Sequence, residues 1–430
     1  MIKTFAVSTL GCKVNQYETE GIIRSFRENG YLPVAFSEKA DVYVVNSCSV
    51  TSIADRKART LVRNARKTNP HAVIVLCGCY SQTHSDASEK IPEADIIIGS
   101  KNKENIPLLV ENHSKEQYIN VPDIMLEKEF EEYTVTGHGD KTRAFMKIQD
   151  GCDNYCAYCI IPYARGHIRS RNMESIRHEA EVFVKNGYKE IVLTGIHLTS
   201  YGRETGDRNI LDVLLMLHEV DGLERIRLGS LEYNSNLIKV AENAHLLPRL
   251  CNHFHVSVQS GCNETLHRMR RRYTTEEFLN GINLLRKAFP GSAVTTDIMV
   301  GFPGETEEEF AKSLEFAKKA AFSKMHIFPY SIREGTRAAD MEGQLSMSLK
   351  KERVSALEEI DRKNVGEFSK AQINTLHSVL FEQKKDGFYT GHTTNYLPVY
   401  VKTDRDISKE IHSVLITEYK NGKLYGELIK

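Results

Sequence analysis

The order of apolar runs predicts an α/β protein of three domains, on three observations. In the first hundred residues four β-rich runs, TFAVSTLG, ADVYVVNS, AVIVLCG and ADIIIGS, alternate with polar helical stretches such as ETEGIIRSFRENG and DRKARTLVRNARK. That is the pattern of a doubly wound parallel sheet with helices on its faces. Six later runs, RAFMKIQ, EIVLTGI, RIRLGSL, HFHVSVQS, AVTTDIMVGF and KMHIFPYS, are each but the last followed by a helical stretch, SIRHEAEVFVKNGY after the first. They suit a partial (βα)6 barrel of the TIM-like kind, whose sites form at strand carboxyl ends. From Gln372 the short runs HSVLFEQ, GFYTGHT, YLPVYV and KLYGELI suit a small all-β barrel. The expected domains are therefore 1–120, 142–371 and 372–430, with the polar, acidic, aperiodic stretch 121–141 as linker and MSLKKERVSALEEIDRKNVGEFSKAQ as the helix closing the second.

The chain has 430 residues, 41% hydrophobic and 27% charged, ordinary for a soluble globular protein with sizeable cores. No apolar run has the length of a membrane span, and MIKTFAVSTLGC reads as a strand without a signal-peptide cleavage site, so a cytoplasmic protein is expected. The 57 basic and 57 acidic residues cancel, so a basic surface must be local. Nine cysteines, an odd number in a large chain, point to metal or redox chemistry rather than to a disulfide framework.

Cys12, Cys48 and Cys79 each lie just past the carboxyl end of an expected parallel strand, in STLGC, VVNSC and LCGC. Such ends converge on one crevice, so three thiols some thirty residues apart meet in space. Cys77 lies inside an apolar run and is left out, while Cys251 and Cys262 read as buried residues. Cys152, Cys156 and Cys159 follow the first barrel strand in GCDNYCAYC, with spacing C-x3-C-x2-C. Soft sulfur donors suit an iron–sulfur cluster or zinc. Structural zinc takes four closed ligands, and the nearest histidine, His167, has no partner at ligand spacing. A four-iron cluster on three thiolates keeps one iron open for a small molecule.

C-x3-C-x-aromatic-C after the first strand of a βα barrel, with Tyr158 as the aromatic, resembles the radical S-adenosylmethionine (SAM) superfamily. The resemblance implies that the open iron chelates SAM and passes an electron to its sulfonium, releasing a 5′-deoxyadenosyl radical. TLGCKVNQYETE, NSCSVT, GCY, DGCDNYCAYCIIPYARG, LTGIHLTSYG, SVQSG and DIMVGFPGET extend it over the whole chain to the methylthiotransferase family. That family carries a second 4Fe-4S cluster in its amino-terminal domain and ends in a TRAM β-barrel. The resemblance implies an auxiliary cluster on Cys12, Cys48 and Cys79, a radical cluster on Cys152, Cys156 and Cys159, and SAM as both methyl donor and radical source. An electron donor such as flavodoxin or ferredoxin and a sulfur source are implied partners. LTGIH stands where the superfamily has its glycine-rich motif, with Gly195 allowing backbone approach to SAM, although it departs from the usual two glycines and glutamate. Ser257 and Gln259, on one face of the fourth strand by period two, and Asp297 near the end of the fifth, are further candidates for SAM contacts.

TLGCKVNQYE and CIIPYARG resemble the branch acting on N6-threonylcarbamoyladenosine beside the tRNA anticodon, at position 37, and converting it to the 2-methylthio derivative. The family alternatives are isopentenyl-adenosine in tRNA and a ribosomal protein, and from another class a zinc-stabilised RNA-binding protein without catalysis. For a tRNA anticodon stem-loop the residues offer basic groups. Arg56, Arg59, Arg63 and Arg66 fall at helical spacings of three and four and form one stripe, for phosphates or as a solvated face. Arg270, Arg271 and Arg272 in HRMRRRY form a second patch. Arg165, Arg169 and Arg171, just past the cysteine loop, serve to offset cluster charge, to bind phosphate or to fork the threonyl carboxylate. Phe388, Tyr389 and Tyr396 are core aromatics of the last barrel or base-stacking ones.

Overall fold

The computed structural model describes residues 3–114, 116–139 and 141–429. Its first sheet comprises β1 (Thr4–Thr9), β2 (Leu32–Pro33), β3 (Val42–Ser47), β4 (Val73–Gly78), β5 (Ile96–Ile98) and β6 (Tyr118–Asn120). Their order is β2-β1-β3-β4-β5-β6, with every pair parallel. Alternation splits the strands between two cores. Val42 and Val44 pack with Ile22, Phe26 and Ile106, whereas Tyr43 and Val45 pack with Ala58, Val62 and Ala65, so helices cover both faces as the doubly wound reading requires. Sequence reading missed β2 and β6 because these edge strands are two and three residues long and exposed throughout. The described part of the expected linker, residues 121–139 and 141, is packed against the domains at several points. Ile124, Tyr133 and Val135 are buried, anchoring an irregular backbone that has no period to read.

The second domain comprises β7 (Ala144–Lys147), β8 (Gln149–Asp150), β9 (Arg169–Ser170), β10 (Glu190–Thr194), β11 (Arg225–Leu228), β12 (Ser230–Leu231), β13 (His253–Val256), β14 (Ala293–Val300) and β15 (Lys324–Pro329). Two parallel sheets, β11-β10-β7 and β12-β13-β14-β15, form the curved wall of a partial barrel. The single run RIRLGSL feeds both, and Gly229 marks the split. A side chain there would place its Cβ 2.9 Å from the Leu193 carbonyl oxygen, to which the Gly229 N–H donates. The antiparallel pair β8 and β9 was not foreseen, and it ties together the base of loop 151–168.

The helix Met347–Lys370 packs on β15, where Asp361 accepts from the Met325 N–H at 2.7 Å. The chain then forms a closed barrel of β16 (Leu376–Lys385), β17 (Phe388–Thr393), β18 (Pro398–Val401), β19 (Ile411–Lys420) and β20 (Lys423–Leu428). β19 was omitted from the sequence reading. Its inward Val414 and Ile416 alternate with outward residues over only part of its length.

This last barrel docks on the amino ends of β7, β10 and β11. Glu190, wholly buried, faces Arg227 at 2.7 Å and Arg143 and Arg225 at 3.5 Å. Arg227 donates to the Thr393 and Thr394 carbonyls, and Arg225 to the His392 carbonyl and Ser378 Oγ. Burial works against ionisation, yet the three guanidinium groups hold the Glu190 carboxyl down at about 2. Glu190→Ala would strand buried cations without their counter-charge. We expect chemical denaturation to show a loss of about 3–5 kcal/mol, with the carboxyl-terminal barrel released first to limited proteolysis.

Candidate active site

Cys12, Cys48 and Cys79 follow β1, β3 and β4, which are neighbours in the sheet, so their carboxyl ends lie side by side. Gly11, at φ +99°, makes the close approach feasible, since a Cβ there would stand 2.7 Å from Cys48 Cβ and 2.8 Å from its sulfur. The thiols sense one another's charge. Burial is the main cause raising Cys48 to about 11, and negative charge on Cys79 and Cys12 adds to it. Cys12 is open to solvent yet ringed by protein, as a group lining a cleft is, and its thiol is pushed up by desolvation while Arg165 pulls it down. Cys77 turns away into the sheet interior, its Sγ 3.7 Å from the Val45 carbonyl.

The second trio sits on the loop that β8 and β9 close. Gly151, at φ +70°, starts it, and a Cβ at this position would lie 1.8 Å from the His167 carbonyl oxygen, so only glycine permits the turn. Inside the loop the Cys159 N–H donates to the Cys156 carbonyl, and Ala157 bonds across to Met269 and Ala338. Burial pushes Cys152 and Cys159 up to about 12, with Cys156 adding repulsion. His167 lies on the exposed side of the loop, its Nδ1 2.7 Å from Asp153. Among the described residues no three His, Cys, Asp or Glu side chains are set around a single ion. The donor chemistry of each trio fits an iron–sulfur cluster: three soft sulfur donors beside an arginine that suits an anionic cluster. That arginine is Arg165 for the first trio and Arg271, whose Nη1 lies 3.5 Å from Cys156 Sγ, for the second.

The two trios are joined by buried charge. Glu18, on the helix Lys13–Glu28 that begins beside Cys12, takes Lys103 at 2.5 Å, Lys147 at 2.8 Å and both ends of the Arg165 guanidinium. Lys147 and Arg165 belong to the barrel, and Arg165 ends the short helix Ile161–Arg165 just after Cys159. Asn15 completes the link, since its Oδ1 accepts from Arg165 while its Nδ2 donates to the Leu10 and Ser47 carbonyls, which precede the Cys12 and Cys48 turns. Desolvation works to raise Glu18, but Arg165, Lys103 and Lys147 outweigh it and hold the carboxyl well below its usual range.

This burial corrects three expectations. Arg165, Arg169 and Arg171 are 1%, 2% and 4% exposed and cannot meet a phosphate or the threonyl carboxylate at a surface. Arg169 is spent on the Arg165 and His167 carbonyls, and Arg171 on Glu179, Glu132 and Tyr17. Arg271 likewise belongs to the cysteine loop, bound to Glu232, Tyr273 and Cys156, whereas its neighbours Arg270 and Arg272 are exposed. In the other stripe Arg56 is exposed and Arg59 lies over the Tyr80 ring, while Arg63 pairs with Glu93 and Arg66 with Asp95.

The candidate SAM contacts divide. Tyr158 packs edge-on against Phe302 beside the loop. Gly195 packs on Gln149: a Cβ there would stand 2.9 Å from Gln149 Oε1, the atom that accepts from the His197 N–H. Ser257 and Gln259 share no regular face, because the strand ends at Val256 and Gln259 sits at φ +69°. Ser257 Oγ and His255 Nε2 instead converge on Asp297 Oδ2, at 2.6 and 3.0 Å. Gln259 Oε1 is buried and has no partner among the described residues, as a ligand-binding atom would be left. Sequence reading missed Glu232, which gathers Asn154, Arg271 and His197 from around the loop. Its place at the end of RIRLGSL, a strand carboxyl end, was the available signal. In the last barrel Tyr389 is core, Phe388 is half-buried against Tyr425, and Tyr396 is stacked between His253 and His392.

Residues 146–317 match the model of the radical SAM superfamily, and residues 4–99 that of uncharacterized protein family UPF0004. The fold is similar to that of the radical SAM methyltransferase TsrM from Kitasatospora setae, at TM-score 0.57 and 14% identity over 79% of this chain and 77% of that one. The protein is thus a radical SAM enzyme with an added amino-terminal sheet domain and a carboxyl-terminal barrel of TRAM type. It is 43% identical over 99% of its length to the threonylcarbamoyladenosine tRNA methylthiotransferase MtaB of Bacillus subtilis, covering 95% of that protein. It is 36% identical to the Aquifex aeolicus MtaB (95% of this chain, 99% of that one) and 31% to the tRNA-2-methylthio-N(6)-dimethylallyladenosine synthase of Pelotomaculum thermopropionicum (99% and 98%). The chain belongs to the methylthiotransferase family, transferases that use SAM and two 4Fe-4S clusters, and the reading as a non-catalytic zinc protein is set aside.

Gly151→Ala should displace the loop around Cys152. Anaerobically purified variant is expected to lack the iron of one cube, about four atoms per chain, while keeping the other.

Proposed function

We propose that this enzyme inserts a methylthio group at carbon 2 of N6-threonylcarbamoyladenosine beside a tRNA anticodon. The reading is supported by the 43% identity to MtaB of Bacillus subtilis and by the Arg165–Asn15–Glu18 bridge, which ties the chain just after Cys159 to the turns that carry Cys12 and Cys48. Cys152, Cys156 and Cys159 would hold the cluster that binds SAM, and Cys12, Cys48 and Cys79 the one that carries sulfur. Bound there, SAM supplies both the oxidising power that takes hydrogen from an unactivated carbon and the methyl group.

The chain's own part is orientation and charge. Glu232 and Arg271 hold the Cys156 loop in shape, Gln259 offers an unspent acceptor toward SAM, and Ser257 and His255 fix the Asp297 carboxylate. Exposed Arg56, Arg270 and Arg272 are left to meet phosphates. No helix among the described residues is long and apolar enough to cross a membrane. The proposed setting is the cytoplasm, with an electron donor of flavodoxin or ferredoxin type and a separate sulfur source.

Two measurements test this. Mass spectrometry of tRNA from a deletion strain should lose the 2-methylthio form of threonylcarbamoyladenosine; loss of the isopentenyl derivative instead, or of neither, would reassign the substrate. Cys156→Ala should abolish SAM cleavage, whereas Cys48→Ala should retain cleavage and lose sulfur insertion. Equal loss of cleavage in both would end the division of labour between the trios.

A further inference from the structure

A cavity of about 530 Å³ occupies the barrel interior, walled by β11–β15 on one side and by residues 395–398 of the last barrel on the other. The volume suits a small organic group. Its polar lining is mostly occupied. Asp297 is taken by Ser257 and His255, His255 also meets Thr295, and Lys324 is paired with Asp361. Two groups remain. Lys13, the residue after Cys12, lines the cavity. Among the described residues its ammonium makes no hydrogen bond or ion pair and lies 5.8 Å from the Phe145 ring centroid. His253, 9% exposed, lines the same cavity, with Nε2 on Thr295 and a buried Nδ1 that has no partner among the described residues.

The lining carries two ammonium groups, Lys13 and Lys324, against one carboxylate, Asp297. Arg143 and Arg227 flank Tyr396 at the floor, 5.2 and 4.7 Å from its ring centroid, and Glu190 and Glu382 are the carboxylates that meet them. Lys13 also heads the helix Lys13–Glu28, which has no acidic residue in its first turn and no side-chain cap. An unpaired cation and an imidazole with one unpartnered nitrogen, both in the wall of one half-open cavity, are the complement of a carboxylate.

We infer that this cavity receives the carboxylate-bearing N6 substituent of the target adenosine, with Lys13 pairing the carboxylate and His253 hydrogen-bonding the substituent. The inference rests on threonylcarbamoyladenosine being the substrate, and it makes Lys13 the residue that separates this substrate from neutral N6-alkyl adenosines. The position is apt, because Lys13 adjoins Cys12 in the chain, so the substituent would reach into the lumen while the base stays at the cysteine cleft.

The test uses the cluster-loaded enzyme with anticodon stem-loops bearing either N6-threonylcarbamoyladenosine or the same nucleoside with the threonyl carboxylate capped as a neutral amide. Wild type should bind the charged loop roughly ten- to a hundredfold more tightly. Lys13→Gln should erase most of that preference through loss of affinity for the charged loop alone, and Lys13→Arg should restore part of it. His253→Gln, distant in sequence from both trios, should lower the preference severalfold, and it carries the test should the Lys13 variants lose iron. A preference unchanged in Lys13→Gln and His253→Gln overturns the inference, as does a wild type that converts the charged loop yet binds both equally. In those outcomes the substrate reading stands; a wild type that fails to convert the charged loop removes both.

Discussion

Everything in this molecule is organised around the buried carboxylate of Glu18. It stands at the seam of two domains, with one lysine from its own domain and a lysine and an arginine from the other on its two oxygens. Desolvating so many charges costs nearly as much as their attraction returns, so such a knot contributes little net stability. Its contribution is positional. With Asn15 tying Arg165 to the chain just before two of the amino-terminal cysteines, the seam cannot slide without exposing a charge to apolar surroundings. Counting Asp150, two carboxylates face four cations, Lys103, Lys147, Arg165 and Arg169. The surplus positive charge lies beside the amino-terminal thiols, where thiolates and an anionic cluster would balance it.

The larger architecture was legible in the sequence because strands buried on both faces, such as Val42–Ser47, are nearly continuous apolar runs, and because six βα repeats have a regular spacing. Both cysteine groups were legible for a geometric reason: thiols just past parallel strands must gather. Short exposed edges such as Leu32–Pro33 left no such trace.

Charge was where sequence reading erred most. An arginine looks the same in sequence whether it meets solvent or a buried acid, and the acids that claim Arg165, Arg171 and Arg271 lie 147, 8 and 39 residues away. The same limit hid Glu232 and Lys13, whose significance comes from what surrounds them in space. At Gly195, read as allowing backbone approach to SAM, the close neighbour that the sequence did not name is Gln149. In each case the residue type was right for the chemistry and its neighbour was the missing fact.

The carbonyls of Thr393 and Thr394 are gripped by Arg227 from inside the (βα)6 wall, and the next residues of that turn form one side of the lumen. The carboxyl-terminal module is therefore a stopper as much as an appendage. Cutting it away would strip one wall from a half-open cavity and admit more bulk water to the lumen from beneath, a defect distinct from any weakened hold on a macromolecule.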